Sequence, residues 1–180
     1  MNKALLNFYE NAYSYCIENN YLNEIEWQSS LDFSTFTEVD LLRESSWVIL
    51  CSGFRERCVK KIFNYISLCF FDWESSESIV EQSDLCINTA LSIFNHSKKI
   101  VAITDVAKFI LHTGFSNYKS QITRNPINTL QKLPYIGPIT ALHLAKNIGF
   151  NTSKPDRHLE RLRKYFSFKD TNSLCKLLSK

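Results

Sequence analysis

Lys132 to Ala141 reads KLPYIGPITA. The chain has 180 residues with only four glycines and four prolines, and one glycine and two prolines fall in this stretch. The segment INTLQKL (127–133) has a helical pattern that Pro134 cannot extend, since a proline lacks the N–H of the helix ladder. Gly137 supplies a position without a side chain, and Pro138 is pre-set for the first residue of a new helix. Leu142, Ala145 and Ile148 then recur on one face, and Gly149 is placed to end that helix. The stretch predicts two helices around a tight turn. The second helix opens with unpaired backbone N–H groups at the positive end of its dipole, a setting suited to a phosphate.

Outward from the hairpin, the rest of the chain predicts an all-α protein. Gly and Pro are sparse, Leu, Ile, Phe and Lys are plentiful, and no long stretch alternates apolar with polar residues. Helices are predicted at roughly 3–20, 38–52, 55–70, 76–94, 98–112, 116–124, 127–133, 138–148, 156–165 and 171–178. The segment YLNEIEWQSSLDFSTFT (21–37) is the least helical and reads as a loop or embellishment. One domain spans 1–180, with a helical part over about 38–112 and the hairpin region over about 127–165.

The net charge of +3 conceals an asymmetry. Residues 1–114 carry 9 Lys and Arg against 15 Asp and Glu, whereas residues 115–170 carry 10 against 3. A basic segment in a mildly acidic chain fits a polyanion partner on one face, and it equally fits a lysine-rich composition. No apolar run approaches the length of a membrane span, and MNKALLNFYENAYSY contains no apolar core of a signal peptide. The six cysteines, at 16, 51, 58, 69, 86 and 175, form no C-x-x-C pair. They read as reduced packing residues of a cytoplasmic protein.

Three segments together carry a family resemblance. LPYIGPITA resembles the L-P-G-h-G hairpin of helix-hairpin-helix DNA-binding motifs. SKPDRHLERL (153–162) resembles the V-D-T-H-V-x-R-V segment that follows this hairpin in DNA glycosylases, matching at Asp156, His158, Leu159, Arg161 and Leu162. TGFSNYKSQI (113–122) is similar to the G-h-x-N-x-K-A-x-x-I segment of the endonuclease III branch, and 47–70 fits its early helix pair. The order and spacing resemble the helix-hairpin-helix DNA glycosylase superfamily, of the endonuclease III and 3-methyladenine glycosylase kind. That resemblance implies a two-lobed helical fold and a double-stranded DNA partner. It also implies a monomer working at the nucleoid, with no membrane.

The resemblance assigns roles residue by residue. Asp156 corresponds to the carboxylate that stabilises positive charge at C1′ and directs the attacking water, as carboxylates do in glycoside hydrolysis. Its position after Pro155 equally suits a helix N-cap, and both roles can hold together. Bifunctional members use a lysine two residues after the second hairpin glycine. Ile139 stands there, which implies a monofunctional enzyme that leaves an abasic site. Only Cys175 follows the hairpin, so the four-cysteine iron–sulfur pattern is missing and no cofactor is required.

DNA contacts fall to backbone N–H groups around Tyr135, Gly137, Ile139 and Thr140. Lys132, Lys146, Lys154 and Arg157 are the phosphate-attracting cations. Arg161 is expected to pair with a carboxylate inside the fold. Carbonyls of Gln131, Leu133 and Ile136 map to a monovalent cation site for K+ or Na+. Phe54 and Arg55 are the wedge that fills the gap left by an extruded base. Trp47, Cys51, Ser52, Asn117 and Tyr118 are candidates for the base pocket, with a core role equally open for Trp47 and Tyr118. Three positions depart from the pattern: Tyr135 replaces the first hairpin glycine, Arg157 a threonine, and Cys51-Ser52 a Gln-Gln pair. The implied substrate is a damaged base, or a hypermodified base in phage DNA. A DNA-binding module without chemistry and a lyase with a displaced lysine are the competing readings.

Overall fold

The computed structural model describes residues 3–178, and among these it is all-helical, with no strand. Its α-helices are α1 (Lys3–Glu18), α2 (Leu22–Ser30), α3 (Glu38–Cys51), α4 (Glu56–Cys69), α5 (Ser76–Glu81), α6 (Ser83–Ile93), α7 (Ser97–Thr113), α8 (Phe115–Arg124), α9 (Pro126–Leu130), α10 (Pro138–Asn147), α11 (Arg157–Tyr165) and α12 (Thr171–Leu178).

The centre is built on α3 and α7. Thr37 starts α3 with a reciprocal cap: its hydroxyl accepts from the Asp40 N–H, and the Asp40 carboxylate accepts from the Thr37 N–H. Leu41, Leu42, Val48, Ile49 and Leu50 then bury almost every face of α3. Between Leu41 and Leu50, Arg43, Glu44 and Trp47 are the residues that are not buried, at helical spacing on one side. α3 packs against α4, α7 and α10, while α7 also holds α5, α6 and α8. Ile100, Ile103, Val106 and Ile110 provide the buried stripe of α7.

Two predicted stretches turn out differently. The segment 21–37 is not a loop throughout: Leu22–Ser30 is helical, and Phe33–Thr35 makes a 3-10 turn capped by Asp32. That turn is pinned from a distance. Lys119 Nζ donates to the carbonyls of Ser34 (2.9 Å) and Phe36 (2.7 Å), and the Phe33 ring packs on Phe150. Gly149 lies so close that a Cβ there would sit 2.7 Å from the Phe33 nitrogen, and its φ of +94° favours glycine in any case. The predicted helix 76–94 is broken at Gln82 (φ −108°, ψ 27°) into α5 and α6.

Candidate active site around α10

The hairpin between α9 and α10 keeps a backbone shape that the residue type alone would not favour. Tyr135 has φ of +66°. This is the left-handed conformation that glycine adopts most easily, at the position where the glycosylase hairpin carries its first glycine. Gly137 is extended (φ −94°, ψ −176°). Any residue can adopt that conformation, so space is what glycine leaves there. The Gly137 N–H is not free for a ligand, because it donates to Thr140 Oγ1 at 2.7 Å. The N–H groups of Tyr135, Ile139 and Thr140 donate to nothing among the described residues. Within the same turn the Leu133 carbonyl accepts from the Ile136 N–H at 3.1 Å. The carbonyls of Gln131 and Ile136 accept no hydrogen bond among the described residues.

A feature that sequence reading did not find ties the hairpin to the turn after α3. Lys99, on α7, is only 1% exposed. Its ammonium donates to the carbonyls of Ile49, of Leu50 (3.2 Å) and of Ser52 (2.7 Å). These bonds close the end of α3, where helix carbonyls lack partners. The rings of Phe54 and Tyr135 lie 5.2 Å and 5.3 Å from the same nitrogen, within range of a cation–π attraction. Burial pulls the Lys99 pKa down to about 8. Both rings remain partly exposed, so the proposed wedge residue and the hairpin side chain share one face. Arg55 is exposed as the residue before α4.

A cavity of about 460 Å³ lies alongside, walled by α2, α3, α4 and α10. From α10 it receives His143, Lys146 and Asn147, a polar stripe on a helix whose other side carries buried Ala141, Leu144 and Ala145. From α3 it receives Arg43, Glu44 and Trp47, and from α2 Glu24 and Trp27. The Asn147 amide donates to Glu44 Oε2 at 2.9 Å, while burial raises the Glu44 pKa. Asn147 is itself 4% exposed, and its side-chain Oδ1 has no hydrogen-bond partner among the described residues. Lys146 Nζ lies 5.6 Å from the Trp27 ring and donates to Gln28 Oε1 at 3.3 Å. The His143 pKa is lowered to about 3, by burial first and then by Lys154 and Lys146, with Asp156 opposing them. His143 is therefore a neutral imidazole at neutral pH, and Asp156 is near enough for its charge to act there.

Asp156 is the N-cap of α11. Its Oδ1 accepts from the N–H groups of His158 (2.8 Å) and Leu159 (2.9 Å), and Oδ2 accepts nothing among the described residues. The cap thus fixes the carboxylate and leaves one oxygen available.

The remaining sequence-predicted residues fall into two groups. Trp47 reaches the cavity, edge-on to Phe63 at 5.0 Å. Lys146 also lies in the cavity wall instead of on an outer basic surface. Lys132 and Arg157 are exposed, with Lys132 near Gln121 Oε1 at 3.4 Å. Lys154 is half-buried, close enough to bear on His143 and Cys51. Outside the cavity wall are Cys51, whose thiol burial pushes up to about 12, and Ser52, whose carbonyl serves Lys99. Asn117 is exposed and donates to the Thr113 carbonyl, whereas Tyr118 is fully buried with its hydroxyl on the Thr129 carbonyl. Tyr118 is thus a core residue. Arg161 is exposed and pairs with no carboxylate among the described residues; Arg163 makes that pair instead, with Glu160 at 2.9 Å.

Comparison with family models, with curated proteins and with solved structures finds no match to this chain.

Proposed function

We propose that this chain is a monofunctional DNA glycosylase that extrudes a modified base from duplex DNA, hydrolyses its N-glycosidic bond and leaves an abasic site. One observation carries the reading. Helix α10 joins a hairpin whose Tyr135, Ile139 and Thr140 N–H groups donate to nothing among the described residues to a polar cavity along its body, and Asp156, outside that cavity's wall, caps α11 with one carboxylate oxygen. In this reading the helices form the two-lobed glycosylase fold, with the hairpin and Asp156 in one lobe.

A phosphate of the strand would bind the N–H groups of Tyr135, Ile139 and Thr140, while Lys132, Lys154 and Arg157 add attraction that depends on salt. A K+ or Na+ ion on the hairpin carbonyls would add positive charge at the phosphate. Phe54 and Tyr135, braced by Lys99, would occupy the gap in the stack. The extruded base would enter the cavity, with its sugar toward Asp156. As the C1′–N bond breaks, electrons leave with the base and positive charge grows on the sugar, where the free Asp156 oxygen stabilises it. Water adds to C1′ and passes its proton to the carboxylate, and the departing base takes up a proton. Ile139 offers no amine at the lyase position, so the strand stays intact. The protein would act as a monomer at the nucleoid.

The test is a panel of duplexes, each with one modified base, incubated with the protein and analysed by mass spectrometry for released base. Asp156→Asn should bind DNA while release falls at least about a hundredfold. Wild-type release rates from Asp156→Asn would refute its role. Trapping of a covalent adduct by borohydride on abasic DNA would refute the monofunctional reading.

A further inference from the structure

We propose that the base accepted by this cavity is uncharged and carries a hydrogen-bonding substituent with the size and chemistry of a sugar. This inference rests on the glycosylase reading. The first argument is size. The cavity measures about 460 Å³. At a water's share of about 30 Å³ it has room for about fifteen waters. A methylated base would leave most of that volume to solvent, so its contacts would be few.

The second argument is charge. Three carboxylates, Glu24, Glu44 and Glu56, face three cations, Arg43, Lys60 and Lys146. Much of this charge is already paired. Lys60 lies 3.2 Å from Glu24, and Lys146 occupies the face of Trp27. A cationic alkylated purine would find the Trp27 face taken by another cation. An anionic substituent would find no net positive charge. The wall suits a neutral ligand.

The third argument is the kind of contact that remains. Asn23 and Asn64 line the cavity with both donors and acceptors, and His143 adds a neutral imidazole. The Asn147 amide is committed to Glu44, which holds that carboxyl in the wall. Trp47 and Phe63, packed edge to face at 5.0 Å, add an apolar part to the lining. Neutral donors and acceptors beside an aromatic lining match a base bearing several hydroxyls, and they match a purely apolar adduct poorly.

Four duplexes test this, each carrying one of glucosylated 5-hydroxymethylcytosine, 5-hydroxymethylcytosine, N7-methylguanine or O6-benzylguanine. Released bases are measured by mass spectrometry. The glucosylated base should leave at least about tenfold faster than the other three, and Asn64→Ala should reduce that preference. Faster or equal release of N7-methylguanine or 5-hydroxymethylcytosine would overturn the inference and leave the glycosylase reading intact. Equal release of O6-benzylguanine would overturn the requirement for hydrogen bonding. Release from none of the four would overturn this inference, whereas release of no base from the wider panel would overturn the glycosylase reading itself.

Discussion

Replacing His143 by glutamine should flatten the response of stability to acid. The imidazole has a pKa of about 3 in the folded chain against 6.5 for the free side chain, because burial and the nearby Lys154 and Lys146 oppose its ionisation. Its folded pKa lies below the unfolded one, so between those values the unfolded chain holds the extra proton and acidification favours unfolding. From about pH 7.5 to about pH 5 this residue alone costs the wild type about 2 kcal/mol. Glu44 acts in the opposite sense, since its raised pKa makes the folded state the better proton binder. Wild type and variant both contain Glu44, so its contribution largely cancels in the comparison. Urea unfolding at the two pH values measures the difference: wild type should lose about 2 kcal/mol more than His143→Gln. Equal losses in the two proteins would show that His143 is not held neutral by its surroundings.

Lys99→Met should destabilise the protein by about 2–4 kcal/mol, because the buried carbonyls at the end of α3 lose their donor; thermal and urea unfolding would show it. Gly149→Ala should cost more than about 1 kcal/mol in the same assay, since the new Cβ meets the Phe33 backbone in a conformation alanine disfavours. Gly137 has open space around it and an ordinary φ. Gly137→Ala should therefore change stability by no more than about 0.5 kcal/mol by urea unfolding. Any loss of DNA affinity in that variant would then report on the hairpin surface. Tyr135→Val should destabilise by about 1–2 kcal/mol, as a β-branched side chain tolerates the left-handed conformation poorly, and urea unfolding would register it.

The helical class was legible because Gly and Pro punctuate so few places, and the α9–α10 hairpin was legible from Pro134, Gly137 and Pro138 together. Asp156 was readable as a cap because N-capping is local: its partners are the next residues along. The cavity was much less accessible. Glu44 and Asn147 meet across 103 positions, and Lys146 reaches Gln28 across 118, distances over which local patterns carry no information. A signal was nevertheless present. Arg43, Glu44 and Trp47 on α3, and His143, Lys146 and Asn147 on α10, are polar or amphipathic stripes at helical spacing on helices otherwise devoted to the core. Trp27 was missed for another reason: α2 has no side-chain N-cap and no buried residue, so its sequence has neither a start signal nor an apolar stripe. The break at Gln82 is equally silent, since no Gly or Pro marks it.

Helix α10 also works as a ruler. Ile139 sits in its first turn and Asn147 at its end. At the normal helical rise the two are about 12 Å apart along the axis. The span from the hairpin to the cavity is therefore set by a count of residues in one rigid rod. Inserting a single residue before His143 would lengthen the rod only slightly but rotate everything beyond it by about 100°. His143, Lys146 and Asn147 would swing away from Glu44 while the hairpin stayed in place, and hairpin and cavity would fall out of register.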